Sequence, residues 1–375
     1  MTGLARKLKA IIESEGPIPF DRYMQLCLGD PDFGYYITRD PFGADGDFTT
    51  APEISQMFGE LVGLWAAETW SRQKIRGPVR LVELGPGRGT LMADALRACR
   101  VAPDFLASVE EICLVETSPI LREKQELKLQ GRGVNIRWCE SVADVPAGPA
   151  IFIANEFFDA LPVRHFIRVE EGWCEKLVGV DDDGNFFAGL AAEPEQLIRA
   201  EAPVGAILEI CATGHKLAAA ISARIVRQGG AALIIDYGHV DTAYGESVQA
   251  LRRHVSVDPL TDPGECDITA HVDFASLCRA AAASGAVAFG PITQADFLRR
   301  LGVVQRAKAL RANGNPIQAA NVDQELRRLT STDPEIGAGG RMVPGMGDLF
   351  KVTAIQPPDA PTPPGFEPEA TDDDQ

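Results

Sequence analysis

The first 75 residues place their apolar side chains at helical spacing. Leu4, Leu8, Ile11 and Ile12 share one face, and Gly16 with Pro17 ends that helix. A second short helix is predicted over 20–28, stopped by Gly29 and Pro31, and a loop rich in Gly, Asp and Thr runs over 43–52. Helical spacing returns over 53–70, at Ile54, Met57, Phe58, Leu61, Val62 and Trp65. From residue 79 the pattern changes to short apolar runs separated by helical segments. Strands are predicted over 79–84, 112–115, 134–138, 150–154 and 231–236. Helices are predicted over 91–99, 119–129 and 213–227, the last stopped by Gly229 and Gly230. Strands alternating with helices imply βαβ units around a parallel sheet, an α/β fold.

Two segments interrupt the alternation. Residues 163–190 hold three strand-like runs with turns at Glu170-Glu171-Gly172 and at Asp181-Asp182-Asp183-Gly184-Asn185, which predicts an inserted β-meander. Strands over 286–292 and 348–355 are separated by a helical insertion. Residues 356–375 carry six prolines, six acidic residues and no base, the composition of a disordered tail. The expected organisation is a helical extension over 1–75, a ligand-binding α/β domain over 76–355 with insertions at 163–190 and 293–346, and the tail.

Charge narrows the partners. The 375 residues carry 36 basic and 53 acidic side chains, a net charge of −17. Removing the six acidic residues of the tail leaves −11 over 1–355. A surface this negative repels phosphate backbones, so no nucleic-acid partner is expected; it would attract a cationic acceptor, although such acidity is more often a solubility feature. No apolar stretch approaches the ~20 residues of a membrane span, and no membrane insertion is expected. Eight cysteines are scattered without a CxxC, several inside apolar runs such as Ile112-Cys113-Leu114. They read as reduced, buried thiols of a cytoplasmic-type compartment. His254, Cys266 and His271 have no familiar metal spacing, and no metal is expected.

The sharpest chemical signal is Glu83-Leu84-Gly85-Pro86-Gly87-Arg88-Gly89-Thr90, a glycine loop that leaves a strand and opens a helix. Glycines let the backbone turn tightly against a ligand, and free amides at a helix start favour a negative group. The spacing is not the Gly-x-Gly-x-x-Gly of dinucleotide sites, and no Gly-Lys-Ser/Thr follows, which disfavours a pyrophosphate. A ligand with an amino-acid end fits better, with Glu83 for its ammonium and the loop amides for its carboxylate. Glu116 ends the second strand, where a carboxylate can accept both ribose hydroxyls of an adenosine. Glu83, Gly85, Gly87, Gly89 and Glu116 together describe a site for S-adenosyl-L-methionine. The plainer alternative is a tight turn beside a solvated Glu116.

Strand four ends in Asn155-Glu156-Phe157-Phe158-Asp159, at the end of the sheet where ligands sit in open α/β folds. Two carboxylates beside two aromatics can hold a cationic acceptor. Alternatively, Phe157 and Phe158 belong to the core and Asp159 to a turn.

Residues 81–91 and 151–162 carry a wider likeness. So do Gly46-Asp47-Phe48-Thr49-Thr50-Ala51-Pro52-Glu53-Ile54-Ser55 and Asp267-Ile268-Thr269-Ala270-His271-Val272-Asp273-Phe274. Together they closely resemble the MidA family of S-adenosylmethionine-dependent methyltransferases, essentially over residues 10–355. That family has bacterial and mitochondrial members, the latter protein-arginine methyltransferases that act on a subunit of respiratory complex I during its assembly. The resemblance implies a class I (Rossmann-like) sheet of seven strands with the last antiparallel. It also implies that Asp47, Thr50 and Glu53 close over the cofactor. A second reading of that segment is a helix start, with Thr50 as N-cap and Glu53 completing a capping box; both can hold at once.

The expected activity is protein-arginine N-methylation supporting complex I assembly. Glu156 is the first choice and Asp159 the second for holding the guanidinium and taking its proton, with Asn155 orienting an acceptor N–H. Phe157 and His271 are candidates for the substrate side, a structural role for His271 being equally open. The alternatives are a small-molecule methyltransferase on the same cofactor and a non-catalytic assembly factor using the same fold. The start of the chain lacks the transit segment of the mitochondrial members, so a bacterial cytoplasmic location is expected.

Overall fold

The computed structural model describes residues 2–40, 50–253, 255–336 and 342–367. The apolar runs after residue 79 form the main strands β1 (Val79–Leu84), β2 (Val109–Val115), β3 (Ile136–Cys139), β4 (Ala150–Asn155), β5 (Gly230–His239), β6 (Val287–Thr293) and β7 (Phe350–Gln356). They lie in the order β6-β7-β5-β4-β1-β2-β3, with Val272–Asp273 pairing off this path against β5. Strands β1 to β5 run parallel to one another. The last strand, β7, runs antiparallel to β5 and β6. This is the expected mixed α/β sheet.

The helices that matter here are α1 (Gly3–Glu15), α2 (Phe20–Gly29), α3 (Gln56–Arg72), α4 (Thr90–Ala98), α5 (Pro119–Leu129), α6 (Ala212–Gln228), α7 (Phe274–Ala283), α8 (Gln294–Arg300), α9 (Val303–Asn313) and α10 (Pro316–Thr330). Alternation along the strands builds two cores, because successive side chains point to opposite faces. Leu81, Ile112, Ile151 and Leu233 pack with Phe58 and Trp65 of α3 and Met92 of α4. Val82, Cys113, Phe152 and Ile234 pack with Ile221 of α6 and Leu277 of α7. The strands read as continuous apolar runs because both faces are covered.

The segment expected as one N-terminal extension divides between cores. Helix α1 starts at Thr2, whose hydroxyl accepts from the Ala5 amide (3.0 Å), and stops at Gly16 with φ +86°. Its Leu4, Leu8 and Ile12 join α2 and the accessory strands in a third core, whereas α3 packs on the central sheet. The capping box is absent: the turn Ala51–Ile54 has no side-chain cap from Thr50, and α3 is started instead by Ser55, which accepts from the Met57 amide (3.2 Å).

The meander is larger than its sequence pattern. Strands Ile18–Pro19, Trp173–Val180, Arg164–Arg168 and Ile207–Ile210 form one sheet, with Phe186–Leu190 also on Trp173–Val180. The inserted sheet therefore reaches residue 210. A three-stranded sheet of Val255–Val257, Gln249–Arg252 and Asp267–Thr269 was not anticipated at all. The late insertion is helical, as expected, and α9 is tied to α3 through buried Glu60, which accepts from Arg306 Nε (2.7 Å) and Arg97 Nη2 (2.9 Å).

The tail corrects the compositional reading. Trp65 Nε1 donates to the Pro364 carbonyl (3.1 Å), Arg72 donates to the Thr362 carbonyl (3.1 Å), and the Phe366 ring meets Phe297. Residues up to 367 are thus packed on the domain, because a tail with few apolar residues can still supply one aromatic plug and backbone acceptors for a buried indole. The remainder of the tail lies outside the described residues.

Candidate active site

The sheet order reverses between β1 and β4, and the loops leaving their carboxyl ends meet at that crevice. Backbone geometry explains the glycines after β1. Gly85, Gly87 and Gly89 have φ of +60°, +52° and +77°, a region costly for residues with a Cβ. Gly85 is also short of space, since a Cβ there would lie 2.8 Å from Phe157 Cδ2. Arg88 of the same turn pairs with Asp40 (2.8 Å).

Glu83 and Glu116 stand at the ends of β1 and β2. Glu83 is 2% exposed, and its Oε2 makes no hydrogen bond among the described residues. Burial, reinforced by the charge of Glu116, pushes its carboxyl up to about 8. Glu116 accepts from the Ser118 amide (2.8 Å) and from Gln125 Nε2 (3.2 Å), and burial raises it as well. Gln125 ties these pieces together: its Nε2 also donates to the Gly87 carbonyl (2.7 Å), while Trp138 Nε1 donates to its Oε1 (2.8 Å). Sequence reading missed Gln125, although its place on α5, the helix that follows Glu116, was a usable signal.

The loop after β4 is held by a buried aspartate that sequence reading also missed. Asp236 on β5 accepts from the amides of Phe157 (3.1 Å), Phe158 (2.9 Å) and Asp159 (3.2 Å) through one oxygen. Glu156 bends the chain at φ +50°. Its Oε1 accepts from the Ala51 amide (3.0 Å) and from Asn155 Nδ2 (3.1 Å), and burial pushes it up to about 8. Asp159 accepts from the Tyr237 hydroxyl (2.7 Å) and is raised by burial to about 6. Asp236 rises well above the carboxylate range, from burial and then from the charges of Asp159 and Glu156. Three carboxyls so close and so dry cannot all ionise together.

A cavity of ≈ 490 Å³ joins these pieces. Of the residues singled out in the sequence, Gly85, Gly87, Glu116, Glu156, Phe157 and Asp159 line it. Glu83, Thr50, Glu53 and Asn155 line a narrow adjoining recess that shares Gly85, Gly87 and Glu156 with it. Gly89 lines neither space and faces Gln125. His271 packs behind Tyr237 (ring centroids 5.5 Å), away from the walls, and burial lowers it to about 4. Phe158 lies in the core, as its plainer reading had it. Asp47 lies outside the described residues. Tyr36, Tyr237, Asp267 and Thr269 also line the cavity.

The donor set fits a nucleoside with an amino-acid end. Glu83 presents an unbonded buried oxygen suited to an ammonium, Glu116 keeps acceptor capacity for ribose hydroxyls, and the glycine turn leaves room for backbone approach. Sheet and site together define a Rossmann-like α/β protein with a cavity suited to a nucleoside that carries an amino-acid end.

Comparison with known proteins specifies it further. A family model described as "Putative S-adenosyl-L-methionine-dependent methyltransferase" matches residues 61–292, and the chain belongs to that family. It is 38% identical to the protein arginine methyltransferase NDUFAF7, mitochondrial, of Danio rerio, over 84% of this chain and 80% of that one. The Drosophila melanogaster homologue is 36% identical over 94% of this chain and 85% of its own. A superfamily member from Burkholderia thailandensis, solved with S-adenosyl-homocysteine bound, superposes with TM-score 0.78 at 28% identity, covering 97% of this chain and 92% of that one. The chain is an S-adenosylmethionine-dependent methyltransferase.

Proposed function

We propose that the methyl acceptor is an arginine side chain of a protein, and that this protein is a subunit of respiratory complex I undergoing assembly. The observation that carries the reading is the acidic and aromatic lining of the cavity, where Glu156, Asp159 and Asp267 meet Tyr36, Phe157 and Tyr237. A guanidinium suits such walls: its planar fork meets carboxylates two bonds at a time and its face stacks on rings. The names of the relatives support the residue type, and the MidA resemblance supports the complex I subunit. Reduced thiols accord with a cytoplasmic location, since the cysteines form no disulfide among the described residues, while the curated relatives named above are mitochondrial.

When bound in contact with Glu83 and Glu116, S-adenosylmethionine supplies a methyl on a sulfonium, and its transfer to nitrogen leaves a neutral thioether and one proton to remove. The chain's own residues position the acceptor and take that proton. A free guanidinium titrates near ~12.5–13.8, so its nitrogen is a poor nucleophile until its charge is localised. Asp159, at about 6, is ionised at neutral pH and grips the cation. Glu156, at about 8, is protonated until a cation arrives beside it. The cation's field then ionises Glu156 and frees it to accept the departing proton. Asn155 donates to Glu156 through Nδ2, and its buried Oδ1, without a partner among the described residues, remains for an acceptor N–H.

Mass spectrometry of proteins from wild-type and deletion cells tests the reading. An arginine peptide should lose its methyl mark on deletion, and a Glu156→Gln/Asp159→Asn double variant should not restore it. Loss confined to a small molecule would overturn the protein substrate. Restored complex I assembly by that variant, with no methyl transferred, would favour a non-catalytic role.

A further inference from the structure

We propose that two phenol–carboxyl pairs, Tyr237–Asp159 and Tyr36–Asp267, form the clamp that selects a guanidinium, with Asp267 as its second specificity-determining carboxylate. This rests on the arginine reading and deepens it.

All four side chains line the same cavity. Asp159 and Asp267 are 6% and 5% exposed, yet they belong to segments more than 100 residues apart. Each accepts a hydroxyl at 2.7 Å, from Tyr237 and Tyr36 respectively. The segments are themselves joined, because the Ala270 amide, following the strand Asp267–Thr269, donates to the Asp159 carbonyl (2.9 Å). Neither carboxylate can turn away without breaking its phenol bond. Burial and the neighbouring carboxylates hold both phenols well above their ordinary range, so they stay neutral and keep donating. The phenol on Asp159 occupies Oδ2, and the buried Oδ1 has no partner among the described residues. An oxygen so placed, unpartnered in a dry wall, is costly unless a donor meets it.

A guanidinium presents five N–H donors in one plane and can engage two carboxylates at different edges. A primary ammonium is a point charge with three donors and cannot span two fixed acceptors in the same way. The clamp thereby assigns acceptor choice to parts of the chain outside the central sheet: Tyr36 comes from the N-terminal segment and Asp267 from the three-stranded sheet. Tyr36 acts through Asp267 and is a positioning residue.

The experiment measures binding of ethylguanidinium and butylammonium to the full-length protein saturated with S-adenosylhomocysteine, by ligand-observed NMR titration. Wild type should bind ethylguanidinium at least tenfold more tightly than butylammonium. Asp267→Asn should lose at least tenfold in ethylguanidinium affinity, and Tyr36→Phe, which removes a single hydroxyl, should lose severalfold. Both variants should keep their affinity for S-adenosylhomocysteine within twofold, which also reports that they are folded. Equal affinities for the two cations, or wild-type ethylguanidinium binding in both variants, overturns the clamp. That failure is separable from failure of the arginine reading, which is decided independently by the methyl mark lost in deletion cells.

Discussion

With Glu83 assigned to the cofactor's ammonium, as proposed, cofactor affinity should depend on pH. The Glu83 carboxyl titrates at about 8 because it is buried at the end of β1 with an unbonded oxygen. At pH 7, one unit below, about a tenth of the ligand-free protein carries the ionised form that pairs with an ammonium, a cost of about 1.4 kcal/mol. At pH 6 the fraction is about a hundredth. Affinity for S-adenosylhomocysteine should therefore rise about tenfold per pH unit from 6 towards 8. It should level off near there, because Glu83 is then already ionised in the ligand-free protein. Calorimetry in buffers of different ionisation enthalpy should register close to one proton released per ligand bound at pH 6.5. Glu83→Gln should abolish that release and the rising limb, and weaken binding by roughly 1.5–3 kcal/mol, the range for a hydrogen bond to a charged group. The same linkage acts on folding. A carboxyl raised in the folded state holds its proton longer than in the unfolded chain, so stability without ligand should decline as pH rises from about 4.5 to about 8. A wild-type affinity that is flat between pH 6 and 7.5, and matched by Glu83→Gln, would refute the assignment of Glu83 to the ammonium.

Three further outcomes follow from the packing. Gly85→Ala should weaken S-adenosylhomocysteine binding and lower the melting temperature, since the left-handed turn costs an Ala about 1–2 kcal/mol and its Cβ collides with Phe157. Adding Phe157→Ala should recover the steric part but not the conformational part, and no recovery in thermal melts would show that Phe157 is not the obstacle. Gln125→Ala should cost roughly 1–3 kcal/mol in cofactor binding by freeing Gly87 and Glu116 at once; an unchanged calorimetric Kd counts against that link. Truncation after Gln356 should destabilise by about 3–6 kcal/mol, from exposing the Phe366 site and orphaning the Trp65 indole. Truncation after Glu367 is the control and should leave the unfolding free energy from denaturant titration within about 0.5 kcal/mol.

Local pattern reached as far as local forces do. The β1–glycine turn–α4 unit was legible because an apolar run, three glycines with positive φ and a helix start are consecutive in the chain. The loop Asn155 to Asp159 was legible for the same reason, and it lies at the cavity walls beyond the end of β4. The ranking of its carboxylates was not legible. Glu156 and Asp159 are three residues apart and chemically alike, and the Tyr237 bond that lowers Asp159 and the charge of Asp159 that raises Glu156 help separate about 6 from about 8.

The apolar and glycine periodicities by themselves thus determined the sheet, its alternating helices and the half of the site built from consecutive residues. The tertiary structure decided the other half. Tyr36 meets Asp267 across 231 positions and Tyr237 meets Asp159 across 78, contacts with no periodic trace because a buried hydrogen bond needs only one partner residue on each side. It also decided the tail, whose proline-rich composition is silent about an indole at Trp65 that needs a carbonyl. Periodicity records which face a residue turns inward, and only folding determines what it finds there.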